Sequence, residues 1–204
     1  MLEGPFKTQS FKITNYTIIL MALTESNMLP LGTTAPNFHI MDTVSDNYYS
    51  LDDLKSKKAT VVMFICNHCP FVIHLNAELV ALANEFKDEG VSFIAISSND
   101  VENYPDDSPE KMKLVAKVLK FPFPYLYDKH QEVAKAYDAA CTPDFYVFDG
   151  DMKLTYRGRF DESRPGNSVP VTGNDLRRAI QSTLKGEAIE EQHFSVGCGI
   201  KWKK

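Results

Sequence analysis

The chain has 204 residues, 44% of them hydrophobic and 24% charged, which is the composition of an ordinary soluble globular protein with room for one substantial core. A net charge of −5, with no basic cluster larger than Lys201, Lys203 and Lys204, excludes an electrostatic nucleic-acid binder. No apolar run is long enough to span a membrane, and 4 cysteines are too few to staple a chain of this length.

Residues 16–23, YTIILMAL, form a short apolar run behind Lys7 and Lys12. Thr24, Glu25, Ser26 and Asn27 follow it, not the small-residue cleavage pattern of a signal peptide. The run reads as an added N-terminal strand or loop. Alternatively, Met21 is the true start and residues 1–20 are an upstream extension. The cytoplasm is the expected compartment. Phe38–Asp42 alternates like an edge strand, Asp46-Asn47 marks a hairpin turn, and Tyr48–Leu51 returns. Ser50 with Asp53 three residues later starts a short helical turn. His39 is read as a surface residue of the first strand.

Ala59–Ile65 is apolar throughout, as expected of a central strand covered on both faces. It runs into Cys66-Asn67-His68-Cys69-Pro70, after which Phe71, Leu75, Leu79, Leu82, Ala83 and Phe86 recur at helical spacing. A buried strand that enters a Cys-x-x-Cys turn and then a helix has a chemical reason. The helix N-terminus presents unpaired N–H groups and a partial positive charge. A thiolate placed there is stabilised, so a cysteine pKa can fall from about 8.5 to roughly 3.5–7.5. Spacing by two residues lets both sulfurs meet across the first turn. A zinc site would ask for a second ligand pair, and Cys141 and Cys198 are solitary, so no metal is expected. A buried, inert pair is the remaining structural alternative.

Val91–Ser97 is a second buried strand, so strand, helix and strand make a right-handed βαβ unit with parallel strands. Ser98–Asp107 reads as loop. Ser108-Pro109 starts a helix that runs to about Leu119, with Met112, Val115, Ala116 and Leu119 inward. Tyr125–Tyr127 is a short strand, and Asp128 is expected to cap a helix through about Tyr137. Cys141-Thr142-Pro143-Asp144 leads into the strand Phe145–Phe148, and Asp149-Gly150-Asp151 turns the chain into an antiparallel return over Lys153–Phe160. Asp161–Gly173 is read as a solvated rim loop. Thr172 or Asn174 would cap a last helix, Asp175–Leu184, and residues 186–204 form a tail. The class is α/β, with the cysteines at the carboxyl end of a parallel strand, where open sheets place their chemistry.

This pattern resembles the thioredoxin superfamily. More narrowly, it resembles its peroxiredoxin-like branch of alkyl hydroperoxide reductase/thiol-specific antioxidant domains. The resemblance rests on CNHCPFV (66–72), SSNDVENYPDDSPEKM (97–112), FPFPYLYD (121–128), CTPDFYVFD (141–149), YRGRFDESRPGN (156–167) and GCGIKW (197–202). It implies a thioredoxin fold: a central mixed sheet flanked by helices, with an N-terminal β-hairpin extension and an inserted helix. It covers residues 28–204 as one domain with the tail 186–204, and sets residues 1–27 apart as an N-terminal extension with little structure. It implies Cys66 as the attacking thiol, Cys69 as its resolving partner, and Thr142-Pro143 as a cis-proline loop whose backbone pairs with a substrate chain.

Peroxiredoxins proper surround the reactive cysteine with Pro-x-x-x-Thr-x-x-Cys. Counting back from Cys66 gives Met63 and Ala59, and from Cys69 gives Cys66 and Val62, so neither frame supplies the threonine and proline. Arg157 or Arg159 is left as a stand-in for the peroxidase arginine, or as a surface charge.

Exchange needs a thiolate, access and a second thiol. An imidazole at His68 would favour the Cys66 thiolate and make the pair more oxidising; the plainer reading is an exposed turn residue. His74 is read as a surface or packing histidine. Cys141 and Cys198 are read first as small buried residues and second as further resolving thiols. The expected protein is therefore a thiol–disulfide oxidoreductase with no cofactor. Its partners would be a protein or small-molecule disulfide or thiol and a separate reductant, with no nucleic acid and no membrane. The alternatives are a thiol-dependent peroxidase and a non-catalytic thioredoxin-like binding module.

Overall fold

The computed structural model describes residues 23–189 and 191–204. The apolar run at 16–22 and the proposed start at Met21 lie outside the described residues. The chain forms β1 (Leu23–Glu25), β2 (His39–Asp42), β3 (Tyr48–Ser50), α1 (Leu51–Leu54), β4 (Ala59–Phe64), α2 (Pro70–Lys87) and β5 (Val91–Ser97). A 3₁₀ turn at Pro105–Asp107 precedes α3 (Pro109–Leu119), β6 (Tyr125–Tyr127), α4 (Glu132–Ala136), β7 (Cys141–Thr142), β8 (Asp144–Asp149), β9 (Leu154–Gly158), α5 (Asn174–Lys185) and β10 (Val196–Gly199).

A seven-stranded sheet runs β3-β2-β6-β5-β4-β8-β9. Its centre is parallel: β5 pairs with β4 on one side and β6 on the other, while β8 and β9 add antiparallel strands beyond β4. All six residues of β4 are buried, because strands lie on both edges and helices on both faces. Its side chains alternate between two cores. Val61 and Met63 join Leu75, Leu79, Phe86, Met112, Leu176 and Ile180 on the face of α2, α3 and α5. Val62 and Phe64 join Leu51, Ile94, Tyr137, Tyr146 and Phe148 on the other. Each such side chain contributes about 1.5–3 kcal/mol on burial.

The local signals account for most element ends. Ser50 accepts from the Asp53 amide and Asp53 from the Ser50 amide, which closes the capping box at α1. Pro70 opens α2 at a position that needs no N–H, and Ser108 caps α3 ahead of Pro109. Two expectations need correction. α4 begins at Glu132, not at Asp128: Gln131 takes a left-handed backbone with φ 60°, and Asp128 instead reaches forward to the Ala134 amide at 2.9 Å. Thr172 and Asn174 do not cap α5. Gly173 does so at φ 65°, with Asp161 accepting from the Thr172 and Gly173 amides at 2.7 Å each. Asp161 is therefore a buried anchor, not part of a solvated rim.

The chain ends form a second, three-stranded sheet in the order β1-β10-β7. β1, within the segment set apart as an extension, pairs antiparallel with β10 from the tail (Leu23↔Cys198), and β10 pairs antiparallel with β7 (Cys198↔Thr142). Residues 23–25 and 196–199 thus close the edge of the fold beside the cysteine turn. Among the described residues no helix is long and apolar enough to cross a membrane.

Candidate redox site

β4 ends at Phe64, two residues ahead of Cys66, and the chain turns through Asn67 and His68 before α2 begins at Pro70. The helix cap is Cys69, not Cys66. Cys66 is 2% exposed and Cys69 fully enclosed. The Thr142–Pro143 peptide bond is cis, as the resemblance implies, and it lies against both sulfurs. Thr142 Oγ1 is 3.4 Å from Cys66 Sγ, and the Cys69 thiol lies 3.1 Å from the Thr142 carbonyl oxygen. Pro143 borders a shallow groove with Phe71, Phe160, Arg164 and Phe194. The His68 ring, between the two cysteines, remains partly exposed.

The turn is held by a residue the sequence reading leaves in a loop. Asp107, fully buried at the end of the 3₁₀ turn, accepts from the Asn67 amide at 2.8 Å and the His68 amide at 3.3 Å through Oδ1. Its Oδ2 accepts from Asn99 Nδ2 at 2.7 Å and stands 2.7 Å from His68 Nδ1. Tyr104 stacks on the His68 ring at 5.6 Å, and Asn67 accepts from the Tyr125 hydroxyl at 3.2 Å. The only hint of Asp107 in the sequence is its place just ahead of the Ser108-Pro109 helix start; one aspartate in a polar loop carries no mark of burial. Ligand-type atoms of Cys66, His68 and Asp107 lie within 4.8 Å of one another, a set that could receive a metal ion. Of the three, His68 and Asp107 are in direct contact at 2.7 Å, while Cys66 Sγ meets Thr142 Oγ1.

The charges settle differently from the expectation of a low-pKa Cys66. The Cys69 hydrogen bond, burial and the Asp107 carboxylate all push the Cys66 thiol well above the ordinary range. Cys69 moves down instead, because the thiols of Cys198 and Cys66 both hydrogen-bond to it and the Val72 backbone in the first turn of α2 adds to the effect. The nearby Thr142 carbonyl works against that charge. The helix favours the residue at its cap, and that residue is Cys69.

The His68 imidazole has Asp107 as its main partner, which raises its pKa above 6.5 against a smaller opposing effect of burial. A raised histidine contributes stability in full below its unfolded pKa, and that stability is lost as pH rises through the folded value. His68→Asn is therefore expected to cost stability near pH 6 and little well above the raised pKa. Urea midpoints of both proteins between about pH 5.5 and 9 check this. Parallel midpoint curves would mean that Asp107 does not hold the charge.

His74 meets Ser163 Oγ at 2.7 Å, away from the cysteines. Arg157 is fully buried and not a surface charge. Its Nη2 donates to Asp144 Oδ2 at 3.0 Å and to the Asp138 carbonyl at 2.7 Å, and its guanidinium lies 4.6 Å from the centre of the Tyr146 ring. Arg159 pairs with Asp175 at 2.6 Å and Glu162 at 3.2 Å. Both arginines are thus committed to carboxylates.

Residues 31–157 match the AhpC/TSA family, well over half of the chain. The chain belongs to the AhpC/TSA family. Two crystal structures resemble it over nearly its whole length. A conserved protein from Geobacillus kaustophilus is 59% identical and covers 90% of this chain and 97% of its own, with a TM-score of 0.88. A protein from Sinorhizobium meliloti 1021 is 42% identical, covers 88% and 98%, and has a TM-score of 0.86. Among curated proteins the chain is similar to the thiol-disulfide oxidoreductase ResA of Geobacillus kaustophilus (strain HTA426), 26% identical over 82% of this chain and 86% of ResA. The thioredoxin domain of a thiol-disulfide oxidoreductase from Bacteroides vulgatus, 21% identical with a TM-score of 0.58 over 75% of this chain and 99% of its own, shares the fold. The AhpC/TSA chain has the thioredoxin fold, with the cysteine turn and the cis-proline loop facing each other across it.

Proposed function

We propose that this protein is a thiol–disulfide oxidoreductase in which Cys66 attacks and Cys69 resolves. The observation that carries the reading is the packing of both cysteines against one loop, with Cys66 Sγ 3.4 Å from Thr142 Oγ1 and Cys69 Sγ 3.1 Å from the Thr142 carbonyl oxygen. The contacts favour Cys66, which is 2% exposed, over Cys69, whose enclosed sulfur is walled in by Thr142 and Cys198 at 3.1 Å each. The lowered Cys69 supplies the base. As a disulfide approaches, the Cys66 proton passes to the neighbouring Cys69 thiolate, and the Cys66 sulfur attacks. One S–S bond breaks, a mixed disulfide forms, and the leaving sulfur departs with the electron pair. Cys69 then attacks the Cys66 sulfur, its proton goes to the second leaving thiolate, and the Cys66–Cys69 disulfide results. The similarity to ResA supports the same reaction class.

His68 would tune the potential through its pairing with Asp107. The partners would be a protein or small-molecule disulfide or thiol, with a separate reductant to return the site to its dithiol form. The cytoplasm is the proposed compartment, on a cysteine content of 4 in 204 residues.

A thiol peroxidase is the second reading, favoured by one observation: Thr142 Oγ1 brings a hydroxyl to 3.4 Å from Cys66 Sγ. Against it stand Met63 and Ala59 in place of the threonine and proline, and two arginines bound to carboxylates. The test assays reduction of a protein disulfide and consumption of hydrogen peroxide on one preparation, with Cys66→Ser as control. Exchange should be rapid and vanish in the variant, while peroxide reacts no faster than with an ordinary thiol of matched pKa. Peroxide oxidation orders of magnitude faster than that would favour the peroxidase. Exchange that survives Cys66→Ser would remove Cys66 from the attacking role.

A further inference from the structure

We propose that Cys198 is a third redox thiol, placed by the tail to receive the disulfide from Cys66 by attacking Cys69. The inference rests on the exchange reading and extends it. The Cys198 and Cys69 sulfurs are 3.1 Å apart across 129 residues of sequence. A disulfide bond measures about 2.05 Å, so the two sulfurs have only about 1 Å to close.

The contact is held from several sides. β10 is stitched to β7 with Cys198 opposite Thr142, and to β1 with Cys198 opposite Leu23. Beyond the cysteine, the Ile200 amide donates to the Ala140 carbonyl, the Lys201 amide donates to Asn99 Oδ1, and the Lys201 carbonyl accepts from the Asp100 amide. Asn99 is also a donor to Asp107, so one side chain ties the tail to the carboxylate beneath the cysteine turn. Gly197 allows the close approach: a Cβ there would stand 2.0 Å from the Thr142 carbonyl oxygen, so any side chain would push β10 off the cis-proline strand. Cys141, also buried, has its thiol near the Pro143 carbonyl at 3.8 Å.

The step needs no outside reagent. Starting from the Cys66–Cys69 disulfide, the Cys198 sulfur attacks the Cys69 sulfur. The Cys69–Cys198 bond forms as the Cys66–Cys69 bond breaks, the electron pair leaves on the Cys66 sulfur, and the Cys198 proton ends there. One disulfide replaces another with no net oxidation, and Cys66 is a thiol again while the oxidising equivalents sit on Cys69 and Cys198. The order of events is built in. In the reduced protein the hydrogen bond and charge of Cys69 hold Cys198 protonated. Once Cys69 is in a disulfide it carries no charge, and that restraint on Cys198 is gone.

The test maps disulfides. Cys66→Ser protein is oxidised with stoichiometric diamide, blocked with N-ethylmaleimide and digested. The expected result is a monomer with a Cys69–Cys198 peptide pair and loss of alkylation at both sites together. Continued alkylation of both, or Cys69 found only in cross-links between two chains, would overturn the proposal. Native protein oxidised with a disulfide substrate needs no substitution and should contain both Cys66–Cys69 and Cys69–Cys198 pairs. Gly197→Ala should lose the second pair and keep the first. Native protein holding only Cys66–Cys69 would overturn the relay and leave exchange standing; native protein forming neither pair would remove the exchange reading as well.

Discussion

Replacing Asp107 with alanine is expected to lower the stability of the domain by about 3–5 kcal/mol, the cost of leaving several donors without their shared acceptor. Three donors converge on this carboxylate, the amides of Asn67 and His68 and Asn99 Nδ2, and His68 Nδ1 stands 2.7 Å away. Each buried donor left without an acceptor costs about 1–3 kcal/mol, and partial relaxation keeps the sum near the lower figure. At about 2–4 °C per kcal/mol for a chain of this size, the melting temperature should fall by roughly 6–20 °C. The same change should drop the His68 pKa below its ordinary 6.5, since burial opposes its charge and the Asp107 hydrogen bond is the largest cause raising it. Asp107→Asn, which keeps the shape and loses the charge, should show the pKa drop with a smaller stability loss. Calorimetry and a histidine NMR titration measure both quantities. An unmoved His68 pKa in both variants would mean that Asp107 acts only as a brace for the turn.

The second large effect is expected away from the cysteines. Arg157→Met should cost about 3–5 kcal/mol at pH 8, because it leaves Asp144 charged, buried and without its cation. The loss should shrink toward acid pH. Burial, only partly offset by Arg157, already holds the Asp144 carboxyl up at about 6 against an ordinary 3.8. A carboxyl whose folded pKa is raised binds its proton more tightly in the native state. Its contribution to stability is therefore present in acid and is lost as pH rises through about 6. Without Arg157 its charge and its hydrogen bond are lost, those of Tyr146 and Ser195 remain, and the folded value climbs further. Urea unfolding of parent and variant at about pH 5 and pH 8 gives the comparison. An equal loss at both values would show that packing against Tyr146, and not the charge of Asp144, is what Arg157 supplies. The Asp144→Asn, Arg157→Met double variant should recover part of the loss, since no buried charge remains unpaired.

The elements and the place of the chemistry follow from local residue patterns. The βαβ unit around Cys66, the capping box at Ser50, the Ser108-Pro109 helix start, and the Cys-x-x-Cys turn at the end of a buried strand were all legible. Each depends on residues within a turn or two of one another: side-chain periodicity, an orphan amide near a cap, a proline where no N–H is needed. The cis Thr142–Pro143 loop came from the family resemblance and not from local pattern, because an isolated Thr-Pro gives no sign of its isomer.

The state of the groups around that turn depends on the packing of distant segments. Cys66 and Cys69 are equivalent by composition, and the helix start alone suggested a low pKa at Cys66. Three-dimensional packing gave the cap to Cys69, set Cys198 against it from 129 residues away, and buried Asp107 beneath Cys66. Asp107 reads as a loop residue, and Arg157 as either a stand-in for the peroxidase arginine or a surface charge, yet both are fully buried. The physical reason is common to all of these. A pKa, a buried charge or a sulfur–sulfur contact depends on which distant segments remove water and bring hydrogen bonds to one atom. That information lies in how β10, the 3₁₀ turn and the cis-proline loop meet, not in the residues on either side of the group.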